Sequence, residues 1–272
     1  QAMMAVLLVK YGVLRLLGLS GKALVIDELH AYDVYMSEIL TLLLQWCQAL
    51  EIPVVMLSAT LPPEKKQQML SVYTGDAVPQ AYPSITWVSE RGRVRVRNIQ
   101  SSAKSWTLNV KVSPILHNSA AIAQAAAGTV SDGGCLCVLM NTVKDAQMVY
   151  SSIREAGFDG TLLLFHGQFP TRQRDEIERE CIRLFGKEKN FRPAKAILVA
   201  TQVVEQSLDV DFDAMFTAIA PIDLLLQRAG RIHRHVRSHR PGKLAVPTLT
   251  VLTPALEGEY EADGFVYPDC LL

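Results

Sequence analysis

The chain has 272 residues, 49% hydrophobic and 20% charged, enough apolar material for a real core, which excludes a disordered segment. Lysine and arginine number 27 against 27 aspartates and glutamates, so a globally basic surface is excluded and any nucleic-acid contact must be a local patch. The cysteines Cys47, Cys135, Cys137, Cys181 and Cys270 show no metal-ligand spacing, and their odd number argues for reduced thiols in a cytosol.

Residues 2–19 read as one packed helix: Lys10 and Arg15 interrupt it, and the apolar run 2–9 is too short to span a bilayer. A basic leader with a small-residue cleavage pattern is missing, so secretion is not expected. A chain that opens on Gln1 and enters a helix at once reads as an excised fragment. Gly21-Lys22 imitates a phosphate-binding loop, but such a loop needs a glycine five residues earlier and Ser or Thr next, where this chain has Leu16 and Ala23. The apolar run 23–26 predicts a buried parallel strand ending at Asp27-Glu28-Leu29-His30, with two acids at a carboxyl edge, the ligand position of open α/β sheets. One acid can hold Mg²⁺ while the other orients or deprotonates an attacking water. Taken alone, the pair is as well explained by a solvated strand end.

A helix over 34–50, a strand over 54–57 and a helix over 63–73 follow. Ser58-Ala59-Thr60 either starts the helix near Pro63 or, with the acids, forms a hydroxyl-bearing loop linking a nucleotide site to a polymer site. Between 82 and 114 the pattern becomes strand-like alternation without a helix. Arg91, Arg93, Arg95 and Arg97 share one face of any strand there, and the wet face of an edge strand is favoured over a row tracking a phosphate backbone. Strands at 135–140, 162–165, 196–199, 214–219 and 249–252 then alternate with helices at 143–156, 171–184 and 222–229, the pattern of parallel βαβ units. Asn141-Thr142, His166-Gly167 and Thr201-Gln202 each follow a strand and line a carboxyl edge. The expected division is a first lobe over 1–92, connecting strands over 93–112, a second lobe over 113–254 and an acidic tail over 255–272.

Two later segments bear chemistry. Residues 200–211 set Asp209 and Asp211 just past a strand, where Thr201 can hold a nucleic-acid phosphate and Asp209 a ribose hydroxyl, or where the chain simply turns into a loop. Gln227-Arg228-Ala229-Gly230-Arg231-Ile232-His233-Arg234 supplies the cations that phosphoryl transfer needs. Arg231 and Arg234, three apart, lie on one side if the segment is helical, and guanidinium forks suit phosphate oxygens. The bland reading is a solvated basic helix end extended by Arg237, His239 and Arg240. No His-Asp dipeptide occurs, so a metal-dependent nuclease centre of that kind has no support.

Residues 27–33, 58–62, 201–211 and 227–235 resemble, in order and interval, motifs II, III, V and VI of a superfamily-two helicase. His30-Ala31-Tyr32-Asp33 after the acids, and the run from Arg228 to His235, resemble the CRISPR-associated helicase-nuclease family of type I systems. Tyr82-Pro83-Ser84-Ile85-Thr86 and Arg240-Pro241-Gly242 agree with its subtype E. The resemblance implies an α/β fold with parts of two RecA-like lobes, parallel sheets flanked by helices, the first lobe incomplete. It implies ATP and Mg²⁺ at their junction, single-stranded DNA and a surveillance complex as partners, no membrane, and a prokaryotic cytoplasm. Asp27 would hold Mg²⁺ together with Glu28, which would also serve as general base, and His30, Ser58 and Thr60 would couple the sites. Asp209 would touch the ribose, Gln227 would place water and γ-phosphate, and Arg231 and Arg234 would be arginine fingers that also bind the nucleotide. Thr142 and Thr201 would contact DNA phosphates. The family's nuclease domain, phosphate loop and carboxy-terminal domain have no counterpart here, so the chain alone is expected not to hydrolyse ATP. Two readings stay open beside it: a helicase of the same superfamily acting on RNA, and a non-catalytic module docking on a surveillance complex or DNA.

Overall fold

A computed structural model of the chain describes residues 2–7, 10–29, 34–59, 61–100, 107–205 and 208–255. It divides into two units, residues 1–104 and 105–272.

In the first unit, helix α1 (Gly12–Leu19), strand β1 (Leu24–Ile26), helix α2 (Val34–Ala49), strand β2 (Val54–Met56) and helix α3 (Pro63–Leu70) precede a hairpin of β3 (Ser84–Val88) and β4 (Val94–Asn98). β1 and β2 run parallel with Ile26 opposite Met56. Leu40, Leu43, Leu44 and Cys47 form one stripe of α2 and pack with Ile26, Leu29, Ile52 and Met69 into a single core. The expectation that β1 is buried on both faces fails. Alternation turns Val25 and Val55 away from that core, leaving them 59% and 48% exposed. The single opening helix is also corrected: a 3-10 turn at Met3–Ala5 is separated from α1 by Tyr11, whose φ of 68° breaks the helical path.

The second unit holds β5 (Asn109–Ser113), α4 (Ser119–Thr129), β6 (Gly134–Leu139), α5 (Val143–Glu155), β7 (Thr161–Phe165), α6 (Thr171–Phe185), β8 (Lys195–Ala200), β9 (Ala214–Ala218), α7 (Ile222–Ala229) and β10 (Thr248–Leu252). Its six strands are parallel in the order β5-β10-β9-β6-β8-β7. β6 reads as an unbroken apolar run because both faces are covered. Cys135, Cys137 and Leu139 join the core that takes Cys181 and Phe185 of α6, while Leu136 and Val138 join Ile122 of α4 and Val149 and Ile153 of α5. Cys47, Cys135, Cys137 and Cys181 are buried free thiols.

The stretch expected to connect the lobes, 93–112, is divided between them. β4 pairs with β3 in the first unit, whereas β5 pairs with β10 as an edge of the second sheet. The acidic tail lies, beyond Ala255, outside the described residues. No helix among the described residues is long and apolar enough to cross a membrane.

Candidate active site

β1 and β2 keep pairing past their ends: Leu57 N–H donates to Ile26 O at 2.8 Å and Leu29 N–H donates to Leu57 O at 3.1 Å. Asp27, Glu28 and Ser58 therefore emerge side by side from adjacent carboxyl ends. Glu28 has a φ of 54°, a left-handed conformation that costs a residue with a Cβ about 1–2 kcal/mol. Its N–H donates to Asp27 Oδ1 at 2.8 Å. Strain of this kind gathers where function over-determines the backbone. Both acids are exposed and Ser58 is half-buried. Two exposed carboxylates fit Mg²⁺, which keeps several waters and takes one or two protein carboxylates alongside phosphate oxygens. Among the described residues no larger cluster of potential metal ligands occurs. His30 and Thr60 lie outside the described residues. Gly21, with φ +71°, turns the chain between α1 and β1, and Lys22 Nζ donates to Gly18 O at 2.7 Å, so this pair serves the turn.

In the second unit, α7 stops at Ala229, so Arg231 and Arg234 do not share a helical face as expected. Gln227 Nε2 is buried without a hydrogen-bond partner among the described residues. An orphaned buried donor costs about 1–3 kcal/mol, and with two guanidinium groups on the same short segment it fits an anion such as a terminal phosphate. Arg231 donates from Nη2 to Glu205 O at 2.7 Å and from Nη1 to Leu208 O, tying segment 227–234 to the loop after β8. Arg234 Nε lies 2.8 Å from Asp209 Oδ1, and His235 Nε2 lies 3.2 Å from the same oxygen. The expected ribose ligand and one expected finger thus face each other, both side chains open to solvent.

Arg228 has no role in the sequence reading, yet it is the largest fully buried side chain among the described residues. Its Nε donates to Glu205 Oε1 at 2.6 Å, and its Nη1 donates to Thr217 Oγ1 at 2.6 Å and Ala218 O at 2.9 Å. The available signal was its place three residues after Leu225 and beside Ala229, both of which face the core. Burial pushes the Glu205 carboxyl above its ordinary range, although Arg228 and Arg231 pull against it.

The solvated basic end suggested by Arg237 and Arg240 is corrected. Arg237 Nε reaches Asp211 Oδ2 at 2.8 Å and its Nη2 donates to Gly186 O at 2.6 Å. Arg240 Nη2 reaches both Asp211 oxygens at 3.0 Å, and its Nη1 bonds Asp213 Oδ1. Arg192 joins Asp213 at 2.9 Å, and Cys135 N–H donates to Asp213 Oδ2 at 2.7 Å. Burial pushes the Asp211 carboxyl up, but Arg237, Arg240 and Arg192 together hold it below its usual range.

Thr201 is buried at the end of β8, its N–H on Phe165 O at 3.1 Å. Thr142 caps α5: its hydroxyl accepts from Asp145 N–H at 3.1 Å and donates to Asp145 Oδ2 at 2.5 Å. The hydroxyl expected on a DNA phosphate is therefore engaged in the cap.

A six-stranded parallel sheet flanked by helices, with its polar loops along one carboxyl edge, is the RecA-like lobe of a helicase. The family model described as CRISPR-associated nuclease/helicase Cas3, C-terminal, matches residues 132–237. The chain is 37% identical over 268 residues to the CRISPR-associated endonuclease/helicase Cas3 of Escherichia coli (strain K12), a match covering 95% of this chain and 30% of that protein. The crystal structure of T. fusca Cas3 with AMPPNP superposes with a TM-score of 0.88 at 36% identity, covering 99% of this chain and 34% of that one. A chain from a CRISPR RNA-guided surveillance complex, pre-nicking, superposes at 0.85 with 36% identity, covering 99% of this chain and 36% of that one. The chain belongs to the Cas3 family. It spans about a third of the length of these relatives.

Proposed function

We propose that the chain is the motor segment of a type I, subtype E, CRISPR helicase-nuclease. In this reading the longer protein translocates on single-stranded DNA with ATP and Mg²⁺, in a prokaryotic cytoplasm, after recruitment by a surveillance complex. The observation that carries the reading is the segment 227–234, where the buried Gln227 Nε2, without a partner among the described residues, stands on one short stretch with Arg231 and Arg234. Asp27 and Glu28 would hold the metal, which when bound offsets phosphate charge. Glu28 takes the proton of the attacking water, Gln227 orients it, and Arg231 and Arg234 meet the charge that develops on the phosphoryl oxygens. Asp209 releases Arg234 to accept a ribose hydroxyl. His30, Ser58 and Thr60 couple nucleotide state to DNA, Thr201 contacts a DNA phosphate, and Thr142 orients that edge through its cap.

The test is DNA-stimulated phosphate release by a longer polypeptide that supplies the phosphate loop this chain lacks. Gln227→Ala should lower turnover by on the order of a hundredfold while leaving the melting temperature unchanged or higher, because it deletes an orphaned donor. Wild-type turnover in that variant would refute the assignment.

A further inference from the structure

The β3–β4 hairpin has two unlike faces. Thr86, Val88, Val94 and Val96 are half-buried on one. On the other, Ile85 stands opposite Arg97 and Trp87 opposite Arg95. Ile85 is 56% and Trp87 47% exposed, with Arg93 further along on the same face. Thr74 Oγ1 donates to Gly92 O at 2.6 Å, which fixes the turn to the body of the unit. Among the described residues, Arg91, Arg93, Arg95 and Arg97 form no ion pair. The nearby acids are Glu90, exposed in the turn, and Asp76, whose carboxylate accepts the Val94 N–H.

An edge strand guarded against aggregation explains arginines but not an exposed tryptophan and isoleucine between them. A face awaiting apolar burial explains Trp87 and Ile85 but would bury unpaired guanidinium groups. A polyanion whose bases present π-faces uses both, with phosphates for the cations and a base for the indole. We propose that this face is a single-strand nucleic-acid contact separate from the helicase motifs, with Trp87 stacking on a base and Arg93, Arg95 and Arg97 following the backbone. It rests on the reading of the chain as part of a single-strand motor.

The test is anisotropy of a fluorescein-labelled oligothymidylate against the whole 272-residue chain over a salt series, with melting curves to confirm folding of each variant. Trp87→Ala should weaken binding about tenfold and Trp87→Phe should restore it. Arg93→Gln, Arg95→Gln and Arg97→Gln together should reduce the slope of log affinity against log salt by about 2. An oligonucleotide carrying 5-bromouracil should photo-crosslink to the peptide containing Trp87. Variants that bind like the wild type, or a crosslink confined to other peptides, would overturn the proposal. So would polyglutamate competing as well as DNA with no response to Trp87→Ala, which would mark an acidic protein surface as the partner. Loss of affinity in Thr201→Ala alone would refute the hairpin and spare the motor; intact hairpin binding with no DNA-stimulated ATPase in the longer polypeptide would do the reverse.

Discussion

Replacing Arg228 with methionine keeps most of its volume and removes every donor it directs at Glu205, Thr217 and Ala218. The Arg228 side chain is 0% and that of Glu205 8% exposed, so the variant strands a carboxylate out of water. Breaking a buried pair from one side costs about 3–5 kcal/mol, a large part of the 5–15 kcal/mol that holds a domain together. The pH dependence identifies the cause. Burial already raises the folded pKa of Glu205 against the pull of Arg228, and removing that pull raises it further. A group raised in the folded state contributes stability that is fully present below its unfolded pKa and is lost as pH rises through the folded one. Arg228→Met should therefore be nearest the wild type in acid and fall further behind as pH rises through the wild-type value for Glu205. Urea unfolding followed by circular dichroism at about pH 5 and pH 8 measures both gaps. Adding Glu205→Gln to Arg228→Met should recover much of the loss at the higher pH. Equal gaps at both pH values, or a double variant no more stable than the single one, would refute the stranded-carboxylate explanation.

Steady-state phosphate release by the isolated chain should not exceed that of its Glu28→Gln variant, since these residues include no backbone cradle or lysine for the β- and γ-phosphates; release above that control would show an unexpected ATP site. In a longer polypeptide with that loop, Glu28→Gln should retain nucleotide binding by equilibrium titration and lose turnover, because it changes the base and keeps the shape. Arg234→Lys should lower turnover by orders of magnitude at unchanged melting temperature, since a point charge replaces a planar fork. Arg237→Ala should instead cost about 1.5–3 kcal/mol of stability, because it removes a charged donor from buried Asp211 and leaves that carboxylate to Arg240 and Arg192, measured by urea unfolding. Because its arginines hold Asp211 below the usual carboxylate range, that gap should be present at neutral pH and close as pH falls through the lowered value.

The parallel strands of the second unit were legible because burial on both faces writes itself as unbroken apolar runs, as in β6 and β8. α4 escaped notice for the opposite reason. Its alanines are excellent helix formers, but side chains so small leave little apolar period to detect. The Asp27-Glu28 turn and Ser58 were found because strand ends are visible in sequence, and parallel pairing then sets those ends together. That Thr142 commits its hydroxyl to Asp145 did have a local sign, since an acid three residues after a threonine is an N-cap signature. Alternation along 93–112 could not reveal that β4 and β5 join different sheets, because pairing partners are set by residues far away in the chain.

Arginine recurs every third residue at 228, 231, 234, 237 and 240, and in one continuous helix those residues would form a single basic stripe. The helix ends at Ala229 and His233 takes a φ of 50°, so the stripe never forms and irregular backbone delivers each guanidinium to its own partner. Arg228 meets a buried glutamate, Arg231 the carbonyls of the loop after β8, and Arg237 and Arg240 buried aspartates. Removing Arg228, Arg237 or Arg240 takes a charged donor from a buried carboxylate, so their loss registers first as instability. Arg234 differs. Its partner Asp209 is 54% and its own side chain 41% exposed, and an exposed pair of this kind is worth about 0–1 kcal/mol. Of these five arginines it can exchange a carboxylate for a phosphate at least cost, and that freedom, more than its spacing from Arg231, is what supports the finger role proposed for it.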